Sequence, residues 1–255
     1  MKKFEAYIGQ LNAMNDWDEF LLSESGLPGP RANLELIEAV AQIGSEDTFL
    51  RYLTFKQDLA PTNSKEEFLA ACGTVGLGRL ISEGKKEYLY TLRSLSSDSR
   101  WRIRESVAMA LQMYGVSNMD GVSNMDGLIN IMAEWSLGNC LEKRAAAAAL
   151  CEPKLLCNKH QAVQVLKILD NITEAICGIR DRKDEGFIAL KKSMGYCWSV
   201  AIVASPEVGK KLFEQWISNG DKDIRWILKE NLKKNRLIKM DESWVIECRK
   251  ICELK

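Results

Sequence analysis

Three stretches of this 255-residue chain carry residue types that could do chemistry. Cys151, Cys157 and His160 form a C-x5-C-x2-H string, a thiolate and imidazole set of the kind that holds zinc. Structural zinc takes four ligands in tight pairs such as C-x2–4-C. This spacing is looser, and Cys248 and Cys252 would have to fold back to complete it. His160 is the only histidine, so a His-dependent nucleophilic triad would have to run through it. No serine or cysteine beside it sits in a nucleophile elbow. The second stretch is Gly73-Thr74-Val75-Gly76-Leu77-Gly78, glycine-rich enough to suggest phosphate cradling. A dinucleotide fingerprint follows a strand and opens a helix. Here FLAAC and RLISEG flank the glycines and both read as helix. The glycines are expected to let two helices approach closely. The third stretch is GVSNMDGVSNMDG, Gly115 to Gly127, in which Val116 to Gly121 recur unchanged as Val122 to Gly127. Asp120, Asn124 and Asp126 offer oxygens to calcium, but no twelve-residue loop with a terminal Glu surrounds them. A tandem duplication absorbed by a surface loop accounts for the echo. No cofactor and no metal is expected from any of the three.

The elements that would carry these residues are helices. Leu34, Ile37 and Ala41, and again Ile224, Ile227, Leu228 and Leu232, fall on helical i, i+3, i+4 spacings. Period-two alternation is scarce. Pro30, Pro61, Pro153 and Pro206 fall at helix edges, and Gly44, Gly84, Gly115 and Gly220 where helix C-caps belong. Helix pairs are expected at 45–57 with 64–84, 85–96 with 99–115, and 124–137 with 139–150. Two more follow at 158–179 with 184–204 and 206–219 with 221–235. Residues 1–44 and 236–255 read as end caps of one domain spanning 1–255. The expected class is all-α.

The pairs repeat. DSRWRIRESV, from Asp98, overlays DIRWILKENL, from Asp223: Asp98 on Asp223, Arg100 on Arg225, Trp101 on Trp226, Arg104 on Lys229. Asp184 to Phe187 repeats the Asp-x-x-aromatic spacing, and Cys140 to Arg144 fills the remaining slot. Positions 101, 141, 187 and 226 then recur about every 42 residues. A two-helix unit of this length is the signature of HEAT and armadillo arrays. In its Asp-x-x-aromatic-x-x-Arg/Lys segments, over residues 30–240, the chain resembles the HEAT-repeat family. The resemblance implies a right-handed α-solenoid whose second helices line a concave binding face. On that face it would place Arg100, Arg104, Arg144, Lys191, Arg225 and Lys229. Their arginines would hold an acidic peptide or a nucleic-acid backbone, or bridge to the neighbouring repeat's Asp. Trp101, Trp135, Trp198, Trp216 and Trp226 are expected in the core.

Charge narrows the function. The formal net charge is zero, with 35 basic and 35 acidic side chains, which speaks against a bulk polyanion binder. Residues 1–60 hold five Lys/Arg against ten Asp/Glu, and residues 205–255 twelve against nine. Lys229, Lys233, Lys234, Arg236 and Lys239 make the local basic excess. The start, MKKFEAYIGQL, is too polar for a signal h-region, and the apolar run Gly195 to Ala204 is too short to span a bilayer. Eight cysteines then read as reduced thiols of a cytoplasmic protein. The expected function is a non-enzymatic scaffold binding a protein partner on its concave face, with no membrane partner. The alternative is a nucleic-acid partner, since HEAT-like DNA alkylation-repair glycosylases are similar in architecture.

Overall fold

The computed structural model describes residues 2–116 and 123–253. Among them lie fifteen α-helices and no strand; the chain is all-α. They fall into two compact units, Met1–Val122 and Ser123–Lys255.

The first unit holds α1 (Lys2–Asn12), α2 (Asp18–Glu24), α3 (Leu34–Ile43), α4 (Glu46–Tyr52), α5 (Glu66–Ser82), α6 (Tyr88–Leu95) and α7 (Trp101–Val116). Helix α5 is its centre, and α2, α3, α4, α6 and α7 all pack on it. Nearly every residue from Glu67 to Ile81 is buried, so α5 lacks the single apolar stripe of a surface helix. Its glycines explain the tightness. A Cβ on Gly78 would lie 2.3 Å from the carbonyl oxygen of Ala110 in α7. One on Gly76 would enter the ring of Phe49 in α4, and one on Gly73 would lie 2.9 Å from Tyr52 Cβ. The glycine-rich stretch is thus the close-approach surface expected from its helical flanks. Gly84, with φ +102° just past α5, takes the left-handed turn that ends the helix. Gly115, by contrast, lies buried inside α7.

The second unit holds α8 (Met125–Trp135), α9 (Cys140–Leu150), α10 (Lys159–Gly178), α11 (Glu185–Ala204), α12 (Pro206–Ile217), α13 (Lys222–Leu232), α14 (Asn235–Met240) and α15 (Glu242–Glu253). Helix α11 packs against α9 and α13, while α10 packs against α8 and α12. Pairs α8–α9, α10–α11 and α12–α13 also pack internally. The alanine run Ala145 to Ala149 is buried in α9, where small side chains let α11 approach. Buried Asn231 fixes α13 on α11: its Nδ2 donates to Met194 O at 2.7 Å, and its Oδ1 accepts from Ser199 N at 2.8 Å. By length and composition α11 is the one described helix that could cross a membrane, but 61% of its apolar window is buried inside the fold. Packing against α9, α10, α12 and α13 accounts for its apolar character.

Helix starts follow local chemistry. Asn33, Ser45, Asn139, Asn158, Asp184 and Asp221 cap their helices through side-chain acceptors. Asn139 forms a full capping box with Glu142, and Pro206 opens α12 at its first turn. The cap of α13 is Asp221, two residues before the aligned Asp223.

Gly78→Ala should destabilise the protein by about 1–3 kcal/mol, because an overpacked contact outweighs the gain in helix propensity. Gly9→Ala in α1, where nothing lies within 4 Å of the new Cβ, should instead stabilise by about 0.5–1 kcal/mol. Denaturant unfolding of the two variants checks the contrast.

Candidate binding groove

The repeat slot that the sequence marks at Asp98 to Trp101 separates into an inner and an outer part. Arg100 turns inward and is 1% exposed. Its Nε and Nη2 grip the Asp98 carboxylate at 2.9 and 2.8 Å, and its Nη1 donates to Phe55 O at 2.9 Å and Ala60 O at 3.1 Å. Arg100 therefore ties the start of α7 to the 55–60 turn. Burial alone would raise the Asp98 pKa, but the bonds from Arg100 outweigh it and hold the carboxyl below its ordinary value.

The next residue points the other way. Trp101 is 45% exposed, not core, and the Arg102 guanidinium stacks 4.4 Å from its ring centroid. Arg102 itself is buried. Its Nη1 meets Glu67 Oε2 at 3.1 Å, and its Nη2 donates to Gly29 O at 2.5 Å and Asn63 Oδ1 at 3.1 Å. Asn63, in the left-handed region at φ +70°, also accepts from Gly29 N at 3.1 Å and donates its own N–H to Glu67 Oε2 at 2.7 Å. One arginine thus pins the 27–33 segment and the 61–65 turn against α5 and α7. Glu67 Oε1 and Arg102 Nε stay buried without a hydrogen-bond partner.

Between the pinned segment and helices α3, α5 and α7 opens a cavity of about 600 Å³. Ile37, Phe68 and Ala71 line it together with Leu34, Trp101 and Met109. Leu34 is 51% exposed, unlike the rest of the α3 stripe. Leu27 and Pro30 line it from the loop, and Arg31, Glu35 and Glu105 supply charge. The size is that of a ligand or peptide site.

In the second unit the matching slot is built otherwise. Trp226 is also exposed, at 36%, and the cation over it comes from α11: Lys191 Nζ lies 4.7 Å from the ring centroid. Lys191 donates to Asp223 Oδ1 at 2.7 Å, and Arg182 reaches Asp223 Oδ2 at 3.2 Å and Asp221 Oδ2 at 2.8 Å. Gly195 leaves room for the indole, since a Cβ there would lie 3.1 Å from the ring.

The six basic residues read from the sequence do not form one free strip. Arg100 is buried and bound, and Arg144 is buried. Arg104 caps its own turn, its Nη1 donating to Asp98 O at 2.6 Å and Ser99 O at 2.9 Å. Lys191 pairs with Asp223. Arg225 and Lys229 are half-buried on α13. Trp135 and Trp198 are core as expected, whereas Trp216 is half-buried and donates to Asp170 Oδ1 at 2.7 Å. Among the described residues no three His, Cys, Asp or Glu side chains group to hold a metal ion. Cys151 is buried while Cys157 and His160 are exposed. Of the echo, Asp120 lies outside the described residues, and Asp126 accepts from Gln161 Nε2 at 2.9 Å.

Sequence reading missed the groove, although helical phase carried the signal. On α7, Trp101 shares a face with Glu105 and Gln112, off the buried stripe of Ile103, Val107 and Leu111. On α13, Trp226 shares one with Lys222 and Glu230, off Ile224, Ile227 and Leu228. Comparison of the chain with protein-family models, with curated proteins and with solved structures gives no match.

Asp98→Asn should lower stability at neutral pH by about 1–3 kcal/mol by weakening the Arg100 clamp. A depressed carboxyl pKa stabilises the fold above the unfolded value, about 3.9, and that stability fades as pH falls through the folded value. Thermal unfolding from pH 6 to pH 3 should therefore fall more steeply for the native protein than for Asp98→Asn. Equal slopes would remove the carboxylate from the account.

Proposed function

We propose that this chain is a non-enzymatic scaffold, a HEAT-like right-handed α-solenoid that holds a protein partner on the face formed by the second helices of its pairs. The observation that carries the reading is the groove of the first unit. Two large apolar side chains, Trp101 and Leu34, stand half-exposed over a cavity of about 600 Å³ whose floor is apolar. Leaving such surface in water is unfavourable, and patches of this kind mark binding sites. Aromatic anchors held rigid by a neighbour lose little entropy when a partner arrives, and the Arg102 stack holds Trp101 in that way. Support for the array comes from the packing order within each unit, where α3, α5 and α7 contact in series, as do α9, α11 and α13. The eight cysteines, none of them in a disulfide, are in keeping with a reducing, cytoplasmic setting.

The charge pattern favours protein over nucleic acid. A phosphate-binding face needs several uncommitted cations. Here Arg100 is buried against Asp98, and Lys191 pairs with Asp223. Arg102 pairs with Glu67.

The test compares capture from a native lysate by the wild-type protein and by Trp101→Ala, together with duplex DNA titrations at about 50 and 200 mM salt. The wild type should enrich a discrete set of proteins that Trp101→Ala loses, and should bind DNA negligibly at the higher salt. Strong DNA affinity falling steeply between the two salts would replace the scaffold reading with the nucleic-acid one.

A further inference from the structure

The groove holds more than a generic apolar patch, and its charges restrict what fits. Resting on the scaffold reading above, we infer that the first-unit groove takes a peptide segment with apolar anchors flanked by lysine or arginine. Three observations converge on that chemistry.

The floor is mostly apolar, and its polar side chain, Ser106, already donates to Arg102 O at 2.9 Å. Ile37, Phe68, Ala71 and Met109 line it. The one buried cation at its wall, Arg102, has both Nη atoms bound to Glu67, Gly29 and Asn63, which leaves a single N–H, at Nε, unbonded. A small polar ligand needs several convergent hydrogen-bonding groups, and that set is not on the floor. An apolar side chain needs none. The cavity is larger than one side chain fills, and its walls come from three helices packed in series. Successive anchors of a helix or extended strand laid in the groove meet such a surface, the mode in which amphipathic segments are bound.

The rim is acidic. Glu35 on α3 and Glu105 on α7 are the acidic side chains that line the groove, and Arg31 is its exposed basic one. The surrounding unit has the same sign. Residues 1–122 hold 13 Lys/Arg against 17 Asp/Glu, whereas residues 123–255 hold 22 against 18. The field over this groove therefore steers a cationic segment in and repels an acidic one.

The anchor is pre-set. Trp101 keeps 45% of its surface in water while Arg102 covers one face of its ring. The exposed remainder can contact an incoming apolar side chain or the stem of a lysine or arginine.

The test is selection of a random dodecapeptide display library on the full-length protein, with counter-selection on Trp101→Ala and on Glu35→Lys. The thermal midpoint of each variant establishes that it is folded. Glu35 is exposed, so its variant keeps the test decisive if the tryptophan variant loses stability. Enriched peptides should carry two or more apolar anchors with adjacent Lys or Arg. Binding should weaken about 30-fold or more on Trp101→Ala and about threefold to tenfold on Glu35→Lys at low salt, the latter effect fading as salt rises. Enrichment of acidic or uncharged apolar peptides that still depend on Trp101 would overturn this inference while leaving the scaffold reading intact. Absence of any Trp101-dependent peptide would overturn both.

Discussion

The contact between Gly78 of α5 and Ala110 of α7 sets the scale for everything around the groove. With no side chain at Gly78, the two backbones come within the space a single methyl would fill. That closeness lets Arg102, on α7, reach Glu67 at the start of α5. A wider spacing would leave the guanidinium short of its carboxylate, and with it the 27–33 segment would lose the donor that holds Gly29. The groove wall formed by Leu27 and Pro30 thus depends on a missing methyl about three turns along α5 from Glu67. The physical chain runs from a small residue, to helix separation, to a buried ion pair, to the position of a loop.

Buried ion pairs are an uncertain source of stability, because taking both charges out of water offsets much of their attraction. The Arg102–Glu67 pair even leaves one nitrogen and one oxygen without partners, a cost of about 1–3 kcal/mol for each such group. An apolar pair could fill the same volume more cheaply. What an apolar pair could not do is fix Gly29, Asn63 and Trp101 at once. We read the pair as retained for specifying this arrangement of loop, turn and indole.

The helices were largely legible in the sequence, since each of the five expected pairs contains two. Apolar spacing and caps such as Asp184 and Asn139 are local signals, and local chemistry decides helices. The glycine stretch was also legible, because helical flanks leave glycine little role besides close packing. The groove was not. Arg100 and Trp101 were read by residue type, as a surface cation and a core aromatic, and each faces the opposite way. Residue type predicts burial only on average. Arg100 precedes the first residue of α7 and turns inward, whereas Trp101 opens the helix on its exposed face, so neighbours in sequence part at the helix start. The partners of Arg102 lie 35 to 73 residues away in the chain, beyond anything a local pattern encodes.

The two tryptophan sites that the sequence aligns show how a similar arrangement can be held by different means. In both, a tryptophan stands outward and a cation covers its ring. In the first unit the cation follows the tryptophan directly on α7 and its charge is met by α5. In the second it comes from α11, and its charge is met by Asp223 on the tryptophan's own helix. The aspartate role has shifted as well. Asp98 grips the arginine two residues on, whereas Asp223 takes Lys191 and Arg182 and leaves capping to Asp221. Sequence alignment equates these residues, but their charges run in different directions across the helix pair. What persists is an arrangement: at each site a cation covers one face of the indole, and a carboxylate paired with that cation offsets the cost of its partial burial.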